Sequence, residues 1–335
     1  MRHSLLPGFV CPRCHGELQT THDAYSCLPC RLHFPVVLGI PDFRIEPDPW
    51  IGLVADRAKA RRLAPIIESL SFADAVRAYW DITPTTSAAL ANRYVQHVLD
   101  ADARAAEFLD RETDTAPPTA EGCWLDLGCG TADLVEAGAT RGITVVGVDV
   151  ALRWMVVAAR REKLADCKAQ LVCANAEYLP FKNAEFVRAV SLGLLEHCRD
   201  ATRVTREARR VLCTGATLSL RTVNRYSALP EPHVGVWGVG VVPRRWADRY
   251  VQWRRSLRYE HHRPLSPREL RNALAQTGFS EVRVEAAVVL VVERTRLSRW
   301  GQRMIPMYSQ LRRIPIIRAL LRWVAPLLQA RGVAT

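Results

Sequence analysis

The run Trp124-Leu125-Asp126-Leu127-Gly128-Cys129-Gly130-Thr131-Ala132-Asp133, followed by Ile143 to Asp149, most narrows what this chain can fold into. The first apolar stretch reads as a buried parallel strand that breaks at Gly-x-Gly and opens into a helix near Thr131. A second apolar strand then ends in an acid. Gly128 and Gly130 let the backbone turn tightly and let a ligand approach main-chain N–H groups with no Cβ in the way. Asp149 falls about where nucleotide-binding βαβ units place a ribose-binding carboxylate. Gly-x-Gly alone serves a steric turn as readily as a ligand. The full pattern says more. Asp133 stands where a dinucleotide fold needs its third glycine, so the turn leaves more room and suits a ligand without a pyrophosphate.

In these residues the chain resembles the class I S-adenosylmethionine (SAM) methyltransferases, whose first motif reads much like Leu125 to Thr131; a nucleotide-sugar or NAD enzyme is the lesser reading. The resemblance continues through Gln170 to Cys173 as a third strand and then Ala174-Asn175-Ala176-Glu177-Tyr178-Leu179-Pro180-Phe181, similar to the family's D-A-E-x-L-P-F. Phe186 to Leu192 reads as the fourth strand, and the following Leu195-Glu196-His197 matches the quinone and small-molecule methyltransferase group. The resemblance implies an α/β, doubly wound, Rossmann-like sheet of seven strands in the order 3-2-1-4-5-7-6, with SAM across the carboxyl ends of strands one to four. Gly128 and Gly130 would face its methionine and ribose, Asp149 its ribose hydroxyls, and Asn175 with the Ala176 backbone its adenine. Asp126, Cys129, Val150 and Leu192 would complete that cofactor site. Asn175 replaces the family's acid, and its side-chain oxygen still accepts a hydrogen bond, without charge assistance. Phe186-Val187-Arg188-Ala189 departs from the common F-D-x-V, and Cys213-Thr214-Gly215-Ala216 from the K-P-G-G turn before the fifth strand, Thr217 to Val223.

SAM already activates its methyl carbon, so the protein mainly aligns a nucleophile with it; an oxygen or nitrogen acceptor also calls for a base. His197, at the end of the fourth strand, is the first candidate for that base, against the plainer reading of a histidine hydrogen-bonded for structure. Glu231 and His233 are secondary acid–base candidates. They lie in a long Gly/Pro/aromatic loop after the fifth strand, and loops of that length tend to bind or cover substrate. The chain lacks a [DN]-P-P-[YFW] motif after the fourth strand and a Pro-Cys pair suited to cytosine attack, which lowers a nucleic-acid acceptor. The acceptor expected is a small molecule or lipid-like biosynthetic intermediate. An RNA base methyltransferase and a non-catalytic SAM-fold partner protein are the alternatives.

Cys11-Pro12-Arg13-Cys14 and Cys27-Leu28-Pro29-Cys30 form two C-x2-C knuckles twelve residues apart. Two such pairs present four thiolates tetrahedrally to one structural zinc ion; a pair of disulfides is the competing reading, which a cytosolic setting opposes. The following His33-Phe34-Pro35-Val36 to Gly39-Ile40-Pro41 resembles the zinc-ribbon, activator-type domain attached to some methyltransferases. The domains expected are residues 1–46 as the ribbon, 47–122 as a helical linker and cofactor lid, and 123–335 as the methyltransferase domain, with a helical insertion at 294–325. Within the linker, the helix over Asp56 to Leu70 is interrupted at Pro65, one long helix spans Ser87 to Leu109, and Asp114 to Glu121 with Pro117-Pro118 leads into the first strand. Tyr79 and Trp80 read either as part of the lid or as core aromatics. Leu152 to Leu164 is expected as a helix, and Glu281 to Val292 as the sixth strand.

The formal charge of the 335 residues is +12, and Lys59, Lys163, Lys168 and Lys182 are the only lysines, so arginine carries it. A GC-rich genome explains an Arg- and Ala-heavy composition; attraction to RNA, anionic lipid or an acidic substrate is the functional reading. No apolar leader follows the start and no run of about 18 uncharged apolar residues occurs, so a cytoplasmic protein is expected. The segment 294–325 mixes apolar residues with many arginines and is divided by Pro306 and Pro315, with Pro326 just beyond it. It suits packing over the active site, or lying on an anionic inner membrane face. The oligomeric state has no signature in the sequence.

Overall fold

A computed structural model describes residues 7–83, 88–115, 122–161, 164, 170–294 and 297–335. Of the linker expected over Asp114 to Glu121, residues 116–121 lie outside the described residues and Asp114 and Thr115 end a helix; the start of the expected helix at Ser87 also lies outside the described residues. Chain contacts divide the molecule into two units, residues 1–188 and 189–335.

The first unit opens with a small antiparallel sheet: β1 (Gln19–Thr20), β2 (Ala24–Cys27), β3 (Leu32–Val37) and β4 (Ile40–Pro41), paired in that order. It is too small to bury a core of its own and borrows one. Phe43 centres an aromatic cluster with Phe9 (4.9 Å between centroids), Tyr25 (5.0 Å) and Phe34 (5.3 Å), and Phe9 reaches Phe181 at 6.0 Å. Each such pair contributes about 0.5–1.5 kcal/mol beyond its burial. Backbone bonds from Val10 to Pro180 (2.9 Å) and from Phe43 to Cys173 (2.7 Å) fix the same surface.

Helices α1 (Leu53–Ile67), α2 (Phe72–Asp81), α3 (Ala88–Leu99) and α4 (Ala101–Thr115) follow. Pro65 does not interrupt α1 where the sequence suggested; it sits in the last turn, and the helix ends two residues later. The long helix expected over Ser87 to Leu109 is instead two, parted at Asp100. Aspartate bonds to nearby backbone and side chains and favours helix ends over interiors, and here its carboxylate accepts from Gln96 Nε2 (2.7 Å). Tyr79 packs as core and stacks on Trp154 (3.9 Å), whereas Trp80 is half-buried and stacks on the exposed Tyr94 (5.0 Å).

The alternating part consists of β5 (Cys123–Leu127), α5 (Asp133–Ala139), β6 (Val145–Asp149), α6 (Leu152–Ala158), β7 (Gln170–Cys173) and β8 (Phe186–Leu192). Every residue of β5 is buried, as an interior parallel strand requires. Gly147 in β6 has a packing duty: a Cβ there would meet Cys129 Sγ and Val135 Cγ2 at 2.9 Å. Helix α6 is shorter than the Leu152 to Leu164 expected.

The second unit continues with a 3-10 turn (Leu195–His197), α7 (Ala201–Val211), β9 (Leu212–Val223), α8 (Arg244–Arg255), α9 (Pro267–Ala275), β10 (Phe279–Ala286), α10 (Val291–Arg294), α11 (Arg299–Leu311), α12 (Pro315–Val324) and β11 (Leu327–Ala334). Asp200 caps α7 by accepting from Thr202 N and Arg203 N, and Ser266 with Glu269 forms a reciprocal capping box on α9. Cys213 to Ala216, expected as a turn, belongs to β9, because the strand starts directly at the end of α7. The sixth strand stops at Ala286 rather than Val292, and the chain turns into α10. The seven-stranded sheet has the order β10-β11-β9-β8-β5-β6-β7, with β11 antiparallel to both neighbours. Counted from the other edge, this is the expected 3-2-1-4-5-7-6. No helix among the described residues is long and apolar enough to cross a membrane.

Candidate active site

In the first unit the site is built on the turn after β5. Gly128 (φ 80°), Gly130 (φ 51°) and Ala132 (φ 61°) are left-handed, a conformation natural for glycine and uncommon for alanine. The turn is pinned to β6, since the N–H groups of Gly128 and Cys129 both donate to Val148 O (2.8 and 3.0 Å). Asp149, closing β6, accepts from Gly130 N through Oδ2 (2.9 Å) and from Ala151 N through Oδ1 (2.7 Å). Asp126, Gly128, Cys129, Gly130, Asp149 and Val150 thus gather at the carboxyl ends of β5 and β6. Burial raises the pKa of Asp149 despite its two N–H partners, and burial together with Asp133 and Asp149 pushes Asp126 well above the carboxylate range. Burial likewise keeps the Cys129 thiol protonated, so it is no nucleophile.

Asn175 and Ala176 follow β7. The Asn175 amide binds the segment leaving the small sheet: Oδ1 accepts from Ile45 N and Glu46 N, and Nδ2 donates to Glu46 O, all at 3.1 Å. Tyr178 donates to Glu46 Oε1 (3.1 Å). That segment is held further by a buried ion network which the sequence did not announce. Arg44 joins Asp42 (2.7 Å) and Asp56 (2.6 Å), Arg153 joins Asp56 (2.9 Å) and Asp48 (3.0 Å), and Arg44 Nη1 also donates to Val150 O (2.9 Å). Burial alone would lift the pKa of Asp42, but Arg44 and Arg57 hold it below the ordinary value.

The four cysteines of the knuckles converge, each offering a sulfur within 4.8 Å of the others, with Cys14 Sγ 3.6 Å from Cys27 Sγ. None of the four is in a disulfide. The Gly16 N–H and the neighbouring cysteines lower Cys14 to about 7, while the Cys14 sulfur pushes Cys30 up to about 12.

In the second unit His197 lies in the 3-10 turn, and its ring centroid is 4.8 Å from that of His233. His233 Nδ1 stands 2.5 Å from Glu231 Oε1, and Glu231 Oε2 accepts from the N–H groups of His233 (2.8 Å) and Val234 (3.0 Å). Burial would raise the Glu231 carboxyl, but the His233 ring and these donors hold it below its usual value. Sequence reasoning missed His262, whose ring is 4.3 Å from His233 and 5.2 Å from His197. Burial and the two other imidazoles bring its pKa down to about 3. Glu196 is buried and raised by burial, with the Thr222 hydroxyl donating to it (2.7 Å). His262, Glu231 and Tyr259 line a cavity of about 410 Å³ with Arg225, Arg244 and Arg263. Leu192, half-buried, ends β8.

Residues 125–220 match the family described as "Methyltransferase domain". The central stretch of this chain is a class I, SAM-dependent methyltransferase domain. A ubiquinone biosynthesis O-methyltransferase of Idiomarina loihiensis is 27% identical over 165 residues, 49% of this chain and 64% of the relative. An uncharacterized protein of Methanocaldococcus jannaschii is 35% identical over 103 residues, 30% of this chain and 37% of the relative. The aligned stretches therefore span less than two thirds of either relative. Among solved structures, a SAM-dependent methyltransferase of Thermotoga maritima aligns with 73% of this chain and 95% of its own at 19% identity, with a TM-score of 0.45.

The turn of the methyltransferase domain fits its cofactor on structural grounds. Nothing lies within 4 Å of where a Gly130 Cβ would stand, so the backbone there is open to a ligand. Asp126, Asp133 and Asp149 form a cradle of carboxyl oxygens beside that turn, and burial raises the pKa of all three, which favours their neutral form.

Proposed function

We propose that this chain transfers the methyl group of SAM to a hydroxyl of a small biosynthetic intermediate. The observation that carries the reading is Asp149 tied to Gly130 within the matched methyltransferase domain. When bound, SAM supplies a methyl carbon activated by its sulfonium. Asp149, oriented by the Gly130 and Ala151 N–H groups, offers its remaining lone pairs to the ribose hydroxyls. The Ala176 backbone lies beyond β7 for the adenine, and the Asn175 side chain acts by fixing the 45–46 segment beside it. The relative that carries out O-methylation in ubiquinone biosynthesis supports an oxygen acceptor. Where the rings are free of metal, His197 is the candidate base for the hydroxyl proton, with His233, held by Glu231, beside it. Arg225, Arg244 and Arg263 give the cavity beside that cluster a basic wall, suited to an acceptor with an ionised or acidic group.

The four knuckle thiols would hold a structural zinc ion. Four sulfurs so close repel one another as thiolates, and a divalent cation removes that repulsion and ionises them all. A closed four-sulfur site leaves no position for substrate, so its contribution is to the fold of the ribbon.

Incubating the full-length protein with methyl-labelled SAM and cell extract, then separating organic-soluble, small polar, RNA and protein fractions, tests the reading. Label is expected in the organic or small polar fraction. Label in RNA alone would overturn it.

A further inference from the structure

We propose that His197, His233 and His262 form a second metal site, one that binds a divalent transition metal of the zinc class through three imidazoles and keeps a coordination position open to the cavity. The site itself is independent of the methyl-transfer reading; only its use on the acceptor hydroxyl rests on it, and there a bound metal, by lowering the pKa of that hydroxyl, would take the place of an imidazole base.

The first support is convergence. One ring nitrogen from each histidine lies within 4.8 Å of the others. Two imidazoles on one tetrahedral zinc, each at about 2.1 Å, stand roughly 3.4 Å apart, so small ring rotations close the site. The three residues come from three separate segments, and the backbone beside each is fixed by bonds that do not involve the rings. Arg263 N donates to Glu196 O (2.6 Å), linking the residue after His262 to the residue before His197. Glu231 N donates to Val236 O and Gly235 N donates to Glu231 O, both at 2.8 Å, closing a tight loop around His233.

The second support is the carboxylate behind the ring. Glu231 engages His233 through Nδ1, which sets the tautomer and leaves Nε2 as the lone-pair donor. A carboxylate behind a histidine in this way is the usual partner of a metal-bound imidazole, where it orients the ring and raises its basicity. Glu231 is itself fixed by two backbone N–H groups, so the support is rigid. Two arginines of the cavity wall share a carboxylate, and the third is held by a backbone carbonyl. Arg244 is 3.0 Å and Arg225 3.6 Å from Glu269, and Arg263 donates to Arg199 O (3.0 Å).

The donor set also selects the metal. Three neutral imidazoles suit Zn²⁺, Co²⁺ or Ni²⁺, whereas Mg²⁺ and Ca²⁺ want oxygen. Three protein ligands with an open fourth position is the pattern of a site that acts on a bound oxygen, in contrast to the closed four-sulfur set. His262 lines the cavity together with Glu231, which puts one ligand of the site and the carboxylate behind a second at its wall.

The test counts metal on the chelator-stripped full-length protein titrated with Zn²⁺, and records the spectrum after Co²⁺ loading. Two equivalents are expected: one with intense thiolate-to-cobalt absorption, and a second with the weaker bands of nitrogen and oxygen ligands. His262→Ala should lose the second equivalent and keep the thiolate spectrum, and Glu231→Gln should weaken the second site about 10-fold. One equivalent in the unaltered protein, or two retained by folded His233→Ala and His262→Ala variants, would overturn the proposal. If those variants fail to fold, zinc X-ray absorption of the unaltered, doubly loaded protein decides: a mixed sulfur and imidazole shell is expected, and a sulfur-only shell overturns it. None of these readouts uses methyl transfer, so failure of the metal site and failure of the methyltransferase reading are told apart.

Discussion

The four-thiol cluster of the first unit and the three-imidazole cluster of the second gather metal-competent side chains in opposite ways. The thiols come from two short turns in a segment of twenty residues, and the left-handed residues His15 and Arg31 beside those turns bend the chain back locally. The imidazoles come from positions 197, 233 and 262, each on its own loop, and meet only because Glu196, Arg263 and Glu231 fix those loops by backbone bonds. One arrangement is written in spacing and the other in tertiary structure. The consequence for stability follows. A small sheet with a borrowed core would lean on a bound metal, whereas loops mounted on a large sheet would not.

The largest expected effect tests that contrast. Cys14→Ser should remove much of the metal-coupled stability of the ribbon, since a structural site deprived of one of its four ligands loses much of the folding free energy it supplies. Residues 8–43 would then lose hydrogen-exchange protection and become sensitive to protease. His262→Ala should leave protection across the second unit nearly unchanged. If the two variants unfolded their units equally, the contrast would fail. Next in size is Asp56→Ala in the buried network, which strands Arg44 and Arg153 without their shared carboxylate. Removing one partner of a buried ion pair costs about 3–5 kcal/mol, read as a fall in the denaturation midpoint; a midpoint within error of the parent would show that Asp42 and Asp48 suffice. Smaller again, Asp149→Ala removes a charged acceptor from the cofactor site and should weaken SAM binding about 100-fold, as charge-assisted hydrogen bonds worth roughly 3 kcal/mol imply. Calorimetric titration with SAM measures it, and unchanged affinity would sink the assignment of Asp149. Metal content of both clusters should be untouched by this change.

What could be read from the sequence follows the same line. The strand–turn–helix–strand around Gly128 to Asp149 and the knuckles were visible because each depends on residues near one another in the chain, whereas the strand order came only through the family resemblance those residues carry. The capping box at Ser266 and Glu269 was visible for the same reason. His262 gave no signal: it sits beside His261 in a polar stretch, and only the fold brings it to His233. The network of Asp42, Arg44, Asp48, Asp56 and Arg153 was equally silent, since an acid in an Arg-rich chain reads as surface until burial is known. Asn175 shows a subtler loss. Its type was legible as a hydrogen-bonding group at the end of the third strand, but its partners, Ile45 and Glu46, lie some 130 residues earlier. Asp100 parted a helix that periodicity alone made continuous.

The smallest effect expected is one of sign, and it separates the acids of the first unit from each other. Asp42 is held below its ordinary pKa, with the arginines around it outweighing burial. Its contribution to stability is present above the unfolded value of 3.8 and is lost as pH falls through the lower folded value. Asp126 is raised well above 3.8 by burial and by its neighbours Asp133 and Asp149, so the folded state binds its proton more tightly than the unfolded chain does. Its contribution is therefore full below 3.8 and is lost as pH rises through the folded value. Asp126→Asn replaces the carboxyl with a neutral group of the same shape. It should stabilise the protein at neutral pH and reduce the loss of stability on going from mildly acid to neutral solution, while Asp42→Asn should do the reverse and destabilise at neutral pH. Denaturation midpoints of the two variants across that range make the comparison, and a loss of stability at neutral pH in Asp126→Asn would mean that the carboxylate is a structural charge and that the cradle around Gly128 does not need its acid neutral.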